Sequence, residues 1–134
     1  MKKIIIILVV LAILAVGLSA NFAVNTLNNT TDLNAAISDA QSQNKSIVMI
    51  FDQDNCVYCD MLKKDVLSNA QVIDALNNKS VVVIVNINEH PELATKYKAY
   101  GTPTTVILDS NQHEIGRIEG YVEANEFMKT LQGI

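Results

Sequence analysis

Two cysteines make up the whole thiol content of this 134-residue chain, and they stand three positions apart as Cys56-Val57-Tyr58-Cys59. Immediately upstream, Ser46 to Phe51 is a continuous apolar run of strand length, the pattern of a strand buried on both faces. Asp52-Gln53-Asp54-Asn55 breaks that run, and Cys56 opens a stretch in which Val57, Met61, Leu62, Val66 and Leu67 follow helical spacing. A sulfur at a helix start meets free N–H groups and the positive end of the helix dipole, and both favour a thiolate. Cys56 is therefore the candidate nucleophile. Cys59, one turn further on the same face, is the candidate resolving thiol, placed to attack a mixed disulfide and release a reduced partner.

Other uses of such a pair are weaker. Zinc needs four ligands; Cys56 and Cys59 supply half, the chain has no second pair, and His90 and His113 stand alone. As a structural cross-link, so short a loop removes little chain entropy. Chance burial of two thiols sits badly with the polar run Asp52 to Asn55. Redox chemistry leads, with no metal and no cofactor beyond the Cys56–Cys59 disulfide itself.

The elements around the pair can be read from periodicity. Asp32 to Gln43 carries Leu33, Ala36, Ile37 and Ala40 on one helical face, with Thr31 or Asp32 as cap. Asn69 to Asn78 is a further helical piece with Val72, Ile73 and Leu76 inward, and Val81 to Ile87 is a second buried strand. Pro91 suits the first turn of a helix over Glu92 to Tyr100, which Gly101 ends. Thr104 to Leu108 and Glu114 to Glu119 read as strands joined by a hairpin turn at Asp109 to Gln112, and Glu123 to Leu131 is a closing helix. The order αβααβαββα predicts one α/β domain over 32–134. Its central mixed sheet has about four strands, with a parallel pair joined through helices and a late antiparallel pair.

Met1-Lys2-Lys3 precedes an uncharged run from Ile4 to Leu18, and the next ionisable residue is Asp32. Residues 1–24 read as a signal peptide or an N-terminal membrane anchor: extended to Val24, the run would span about 31 Å as a helix. Either way the two lysines stay on the cytoplasmic side and the domain beyond the leader is exported. Residues 25–31, rich in Asn and Thr, read as a spacer. The net charge of −4 comes with no Lys/Arg block and no Trp, so nucleic-acid binding is not expected.

Together these motifs resemble the thioredoxin superfamily, over the whole of 32–134. The match rests on Cys56-Val57-Tyr58-Cys59, Asn86-Ile87-Asn88, Pro91 with the helix holding Lys96-Tyr97, Gly101-Thr102-Pro103-Thr104, the hairpin and Gly120. The extended order, with Gln71 to Leu76 before the next strand, is most similar to exported thioredoxin-like reductases, of the type of the C-terminal domain of the periplasmic thiol-disulfide interchange protein. The resemblance implies a cis peptide at Pro103 facing the sulfurs, with Thr102 presenting its backbone to an extended substrate. Tyr58 would cover the sulfurs or bound the substrate groove. Gly101 and Gly120 would admit a substrate backbone or serve as turn residues.

The chain departs from cytoplasmic thioredoxins at the buried acid six residues before the first cysteine, here Ile50, and at its lysine partner, here Ile84. Asn55 replaces the usual Trp. Asp52 and Asp54 are then the candidate proton relay for Cys59. With Asp60 they also disfavour a Cys56 thiolate, and with no adjacent cation evident they point to a reducing couple. The expected function is an extracytoplasmic thiol-disulfide oxidoreductase, membrane-anchored or secreted and monomeric, reducing protein disulfides and recharged by a membrane electron-donor protein. A net oxidase or isomerase, or a non-enzymatic redox-sensing or assembly module, are the alternatives.

Overall fold

A computed structural model describes residues 25–133, so the leader over 1–24 lies outside the described residues. In chain order the elements are β1 (Asn29–Thr30), α1 (Leu33–Gln43), β2 (Ser46–Asp52), α2 (Val57–Met61) continued by a π-helical turn (Leu62–Val66), α3 (Ala70–Lys79), β3 (Ser80–Asn86), α4 (Pro91–Lys96), β4 (Thr104–Leu108), β5 (Glu114–Glu119) and α5 (Ala124–Leu131).

The Val/Ile-rich β2 and β3 form a parallel pair, in register from Ser46↔Ser80 to Asp52↔Asn86. Such strands are stable only when covered on both faces, and Ile47 to Phe51 are all buried. β4 joins the other side of β2 antiparallel, and β5 pairs antiparallel with β4. The sheet order is β1-β3-β2-β4-β5. Alternation along β2 divides the core. Val48 and Ile50 pack with Leu62, Val66, Leu76, Phe127 and Leu131 beneath α2, α3 and α5. Ile47, Met49 and Phe51 pack with Ala36, Ala40, Val83 and Val85 beneath α1 and α4. Each fully buried side chain of this size contributes about 1.5–3 kcal/mol.

Local chemistry sets the element ends. The Asp32 carboxylate accepts from the N–H groups of Asn34 and Ala35, and Asn69 does the same for Gln71 and Val72. Asn44 closes α1 in the left-handed conformation.

Two features differ from the sequence reading. Asn29 and Thr30, assigned to the spacer, form a fifth strand parallel to β3. No apolar periodicity announces it, because Asn77 holds it in place: its Oδ1 accepts from Asn28 N–H at 2.9 Å and its Nδ2 donates to Thr26 C=O at 2.8 Å. The second difference is α4, which ends at Lys96, short of Tyr100. Lys98 turns left-handed (φ 55°) and Ala99 N–H returns to Ala94 C=O at 2.8 Å, closing the helix before Gly101.

Candidate active site

The dithiol sits where β2 gives way to α2. Asn55 takes the left-handed conformation (φ 58°), which Asn tolerates better than most residues, and so turns the chain out of the strand. Cys56 is the N-cap of α2, and its Sγ accepts from Cys59 N–H at 3.1 Å. The two sulfurs are disulfide-bonded with Cα atoms 5.2 Å apart. Cys59 is 2% exposed, whereas Cys56 is only partly buried. An incoming thiol or disulfide therefore meets Cys56 first.

Forty-six positions along the chain, Thr102 is brought against the same sulfur: its hydroxyl donates to Cys56 Sγ at 3.5 Å. The Thr102–Pro103 peptide bond is cis. This loop is pinned at each end. Thr104 Oγ1 donates to Gly101 C=O at 2.7 Å, and Gly120 N–H donates to Pro103 C=O at 2.8 Å. Gly120 itself needs its glycine, with φ +84°.

The acids are placed differently from one another. Asp52 continues the face of β2 that carries Val48 and Ile50, the side covered by α2. Its carboxylate is paired with the ammonium of Lys63, and only 13% of the Asp52 side chain is exposed. Lys63, four residues after Cys59, is thus a cation that offsets one of the three acids expected to stand uncompensated around the pair. Asp54 faces the β3–α4 loop, where its Oδ1 accepts from Asn86 Nδ2 at 3.0 Å and its N–H donates to Asn88 Oδ1 at 3.0 Å. Asn86 and Asn88 thus buttress the turn that delivers Cys56. Among the described residues neither acid hydrogen-bonds to a sulfur. Ile50 and Ile84 are direct cross-strand partners, so one apolar pair replaces what would have been two buried charges.

Tyr58 is 60% exposed and Val57 71%. Tyr100, at 83%, stands on the loop leading to Thr102 and was not singled out from sequence, although an aromatic directly before Gly-Thr-Pro was the available signal. Arg117, also missed, lies on β5 and fixes that loop from behind. Its guanidinium takes both Glu114 carboxylate oxygens at 2.8 Å, and it donates to Tyr97 C=O at 2.8 Å and to Lys98 C=O at 3.4 Å. The ion pair holds the Glu114 carboxyl below its ordinary range and raises Arg117. Among the described residues no three His, Cys, Asp or Glu side chains gather as metal ligands.

Comparison with known proteins gives a consistent result. Residues 33–134 match the model of the thioredoxin-like domain. The thiol:disulfide interchange protein DsbD of Pseudomonas fluorescens is 27% identical over 118 residues, which cover 84% of this chain and 20% of that protein. DsbD of Photorhabdus laumondii is 29% identical over 119 residues, 85% of this chain and 20% of that protein. The chain thus spans about a fifth of the length of the curated relatives it matches. Among solved structures, a thioredoxin from Thermus thermophilus superposes with a TM-score of 0.73 at 31% identity, covering 80% of this chain and 85% of that one. The oxidised DsbD C-terminal domain of Neisseria meningitidis gives 0.64 at 23% identity, covering 78% and 94%, a likeness of fold.

Proposed function

The chain belongs to the thioredoxin-like domain family, and from that premise we propose that it is an extracytoplasmic thiol-disulfide oxidoreductase that reduces disulfides in other proteins. The observation that carries the reading is the pairing of one accessible and one buried sulfur at a helix start, with a threonine hydroxyl from the Pro103 loop on the accessible one. Reaction begins from the reduced pair. The Cys56 thiolate attacks a substrate disulfide; one substrate sulfur leaves and takes a proton, and the other is held as a mixed disulfide on Cys56. Cys59 then loses its proton and attacks Cys56 Sγ. The second substrate thiol is released, and the Cys56–Cys59 disulfide forms with transfer of two electrons to the substrate.

Thr102 and Pro103 dock the substrate backbone, and the exposed Tyr58 bounds the groove. Of the two candidate relay acids we assign Asp52 as acceptor for the Cys59 proton, a reading supported by its position on the face of β2 covered by α2; Asp54 is engaged in buttressing the turn. Asp54 and Asp60 remain as uncompensated acids near the pair, which supports a reducing couple over an oxidising one. The uncharged run within 1–24, read as a leader, and the similarity to thiol:disulfide interchange proteins support an extracytoplasmic, membrane-held protein, which we take to be a monomer. There a membrane electron-donor protein would restore the dithiol.

Insulin reduction by the wild type and by Cys59→Ser tests this. Turnover by the wild type, with a trapped mixed disulfide in the variant, is the expected result. A wild type that neither turns over nor forms a mixed disulfide would favour the non-enzymatic binding module. A reduction potential in the range of strong oxidants, around −120 mV, would reverse the direction in favour of a net oxidase or isomerase.

A further inference from the structure

Tyr100 is a large aromatic held outward at 83% exposure on a loop that is anchored on both sides of it. Arg117 fixes the carbonyls of Tyr97 and Lys98, Thr104 fixes that of Gly101, Gly120 fixes that of Pro103, and Thr102 rests on Cys56. A ring carried on a loop anchored on both sides meets a partner without the loop first having to be ordered, which suits an interface anchor. Beside it opens a cavity of about 230 Å³, bounded by Lys98, Tyr100, the loop from Gly101 to Thr104, Glu119 and Gly120.

Gly101 sharpens the case. Its φ lies outside the left-handed region, and a Cβ built there meets nothing within 4 Å. The fold has no need of glycine at this position, and its missing side chain leaves the cavity wall open. Lys98 and Glu119 bring one charge of each sign to the lining, so its formal charge favours neither a cation nor an anion. The position of Thr102 against Cys56 dictates what that occupant belongs to: a chain segment carrying the reacting sulfur.

We propose that Tyr100 is a specificity-determining residue, forming with Gly101 and Pro103 a subsite for an apolar side chain adjacent to the reacting cysteine of an extended partner segment. The proposal rests on the disulfide-reductase reading and names the substrate feature that reading leaves open.

The test uses the reduced protein against hydroxyethyl disulfide and a set of disulfide-linked peptides with Phe, Leu, Ser or Asp on either side of the cysteine. The wild type is expected to favour a Phe or Leu neighbour by about tenfold in kcat/KM, expressed in KM. Tyr100→Ser brings that ratio close to one, Tyr100→Phe keeps it, and Gly101→Val reduces it by filling the cavity. Ile115→Ser, an exposed apolar residue elsewhere on β5, leaves it untouched. A wild type active on all peptides without side-chain preference overturns the subsite alone. A Tyr100→Ser loss equal for every peptide and for hydroxyethyl disulfide also overturns it, because the ring would then act on the dithiol. A wild type inert towards hydroxyethyl disulfide overturns the reductase reading itself.

Discussion

Among the described residues the hydroxyl of Thr102 is the one neutral donor from outside α2 that reaches Cys56, so its removal isolates a single electrostatic contribution to the couple. In Thr102→Val a methyl group takes the place of the hydroxyl, and no cavity is opened. Hydrogen bonds to charged groups contribute about 1.5–3 kcal/mol. A 3.5 Å contact to a partly exposed sulfur belongs at the bottom of that range. The bond is strongest to a thiolate, hence to the reduced protein, so its loss destabilises the reduced form relative to the disulfide. About 1.4 kcal/mol corresponds to about 30 mV for a two-electron couple. Thr102→Val should therefore make the Cys56/Cys59 potential more negative by up to about 30 mV, and slow alkylation of Cys56 by iodoacetamide at neutral pH. Thr102→Ser, which keeps the hydroxyl, should do neither. Equilibration with a dithiothreitol buffer reads the potential. An unchanged potential together with an unchanged alkylation rate would refute the assignment of Thr102 as a donor to the reacting sulfur.

Lys63→Met leaves the mostly buried Asp52 carboxylate without its partner and should lower stability by about 1 kcal/mol in urea unfolding, a modest figure because the lysine is half exposed. Asp52→Asn should lengthen the life of the mixed disulfide with little change in its formation, as followed by quenched-flow trapping; a normal lifetime would remove Asp52 from the proton path. Glu114 is held low by Arg117, so its contribution is fully present above the ordinary value of 4.5 and is lost as pH falls through its lower folded value. Melting temperature should therefore fall more steeply in acid for the wild type than for Glu114→Gln. Asn77→Ala removes the side-chain bonds to Asn28 N–H and Thr26 C=O and should cost about 1–2 kcal/mol. It should also speed amide exchange along β1, which native-state hydrogen exchange detects.

Much of the fold was legible because its strands are long apolar runs and its helices have one apolar face. Ser46 to Phe51 can only be a strand covered twice, and the polar break after it puts Cys56 at a helix start. Pro91 and the cap at Asp32 fall where their chemistry requires. What escaped depends on side chains meeting across the fold. β1 is two residues long and rests on the carboxamide of Asn77, forty-seven positions after Thr30. The early end of α4 depends on left-handed Lys98 and on Arg117, which lies on another strand. The Lys63–Asp52 pair joins residues eleven apart through a strand end and a π-helical turn, and neither helical nor strand periodicity pairs them. Ile50 and Ile84 were legible as a double departure, and the register that makes them cross-strand partners explains why both changed character together.

The arrangement also constrains how electrons enter and leave. β1 runs parallel to β3 and hence to β2, so residues 25–28 meet the sheet at the end carrying Ser46 and Ser80, whereas Cys56 comes after Asp52 at the other. A seven-residue strand separates these ends by about 20 Å, and the grip of Asn77 on Thr26 and Asn28 keeps the entering segment from crossing to the dithiol. A domain tethered by that segment would present its sulfurs away from the tether. Of the two sulfurs Cys59 is buried and Cys56 partly exposed, and the Gly101 to Thr104 loop flanks Cys56. A proposed donor and a proposed substrate would then approach the same atom past the same loop, one after the other. On the proposed function donor and acceptor would therefore compete for one surface, and steady-state kinetics should be ping-pong, with parallel lines in double-reciprocal plots; intersecting lines would refute the shared approach to Cys56.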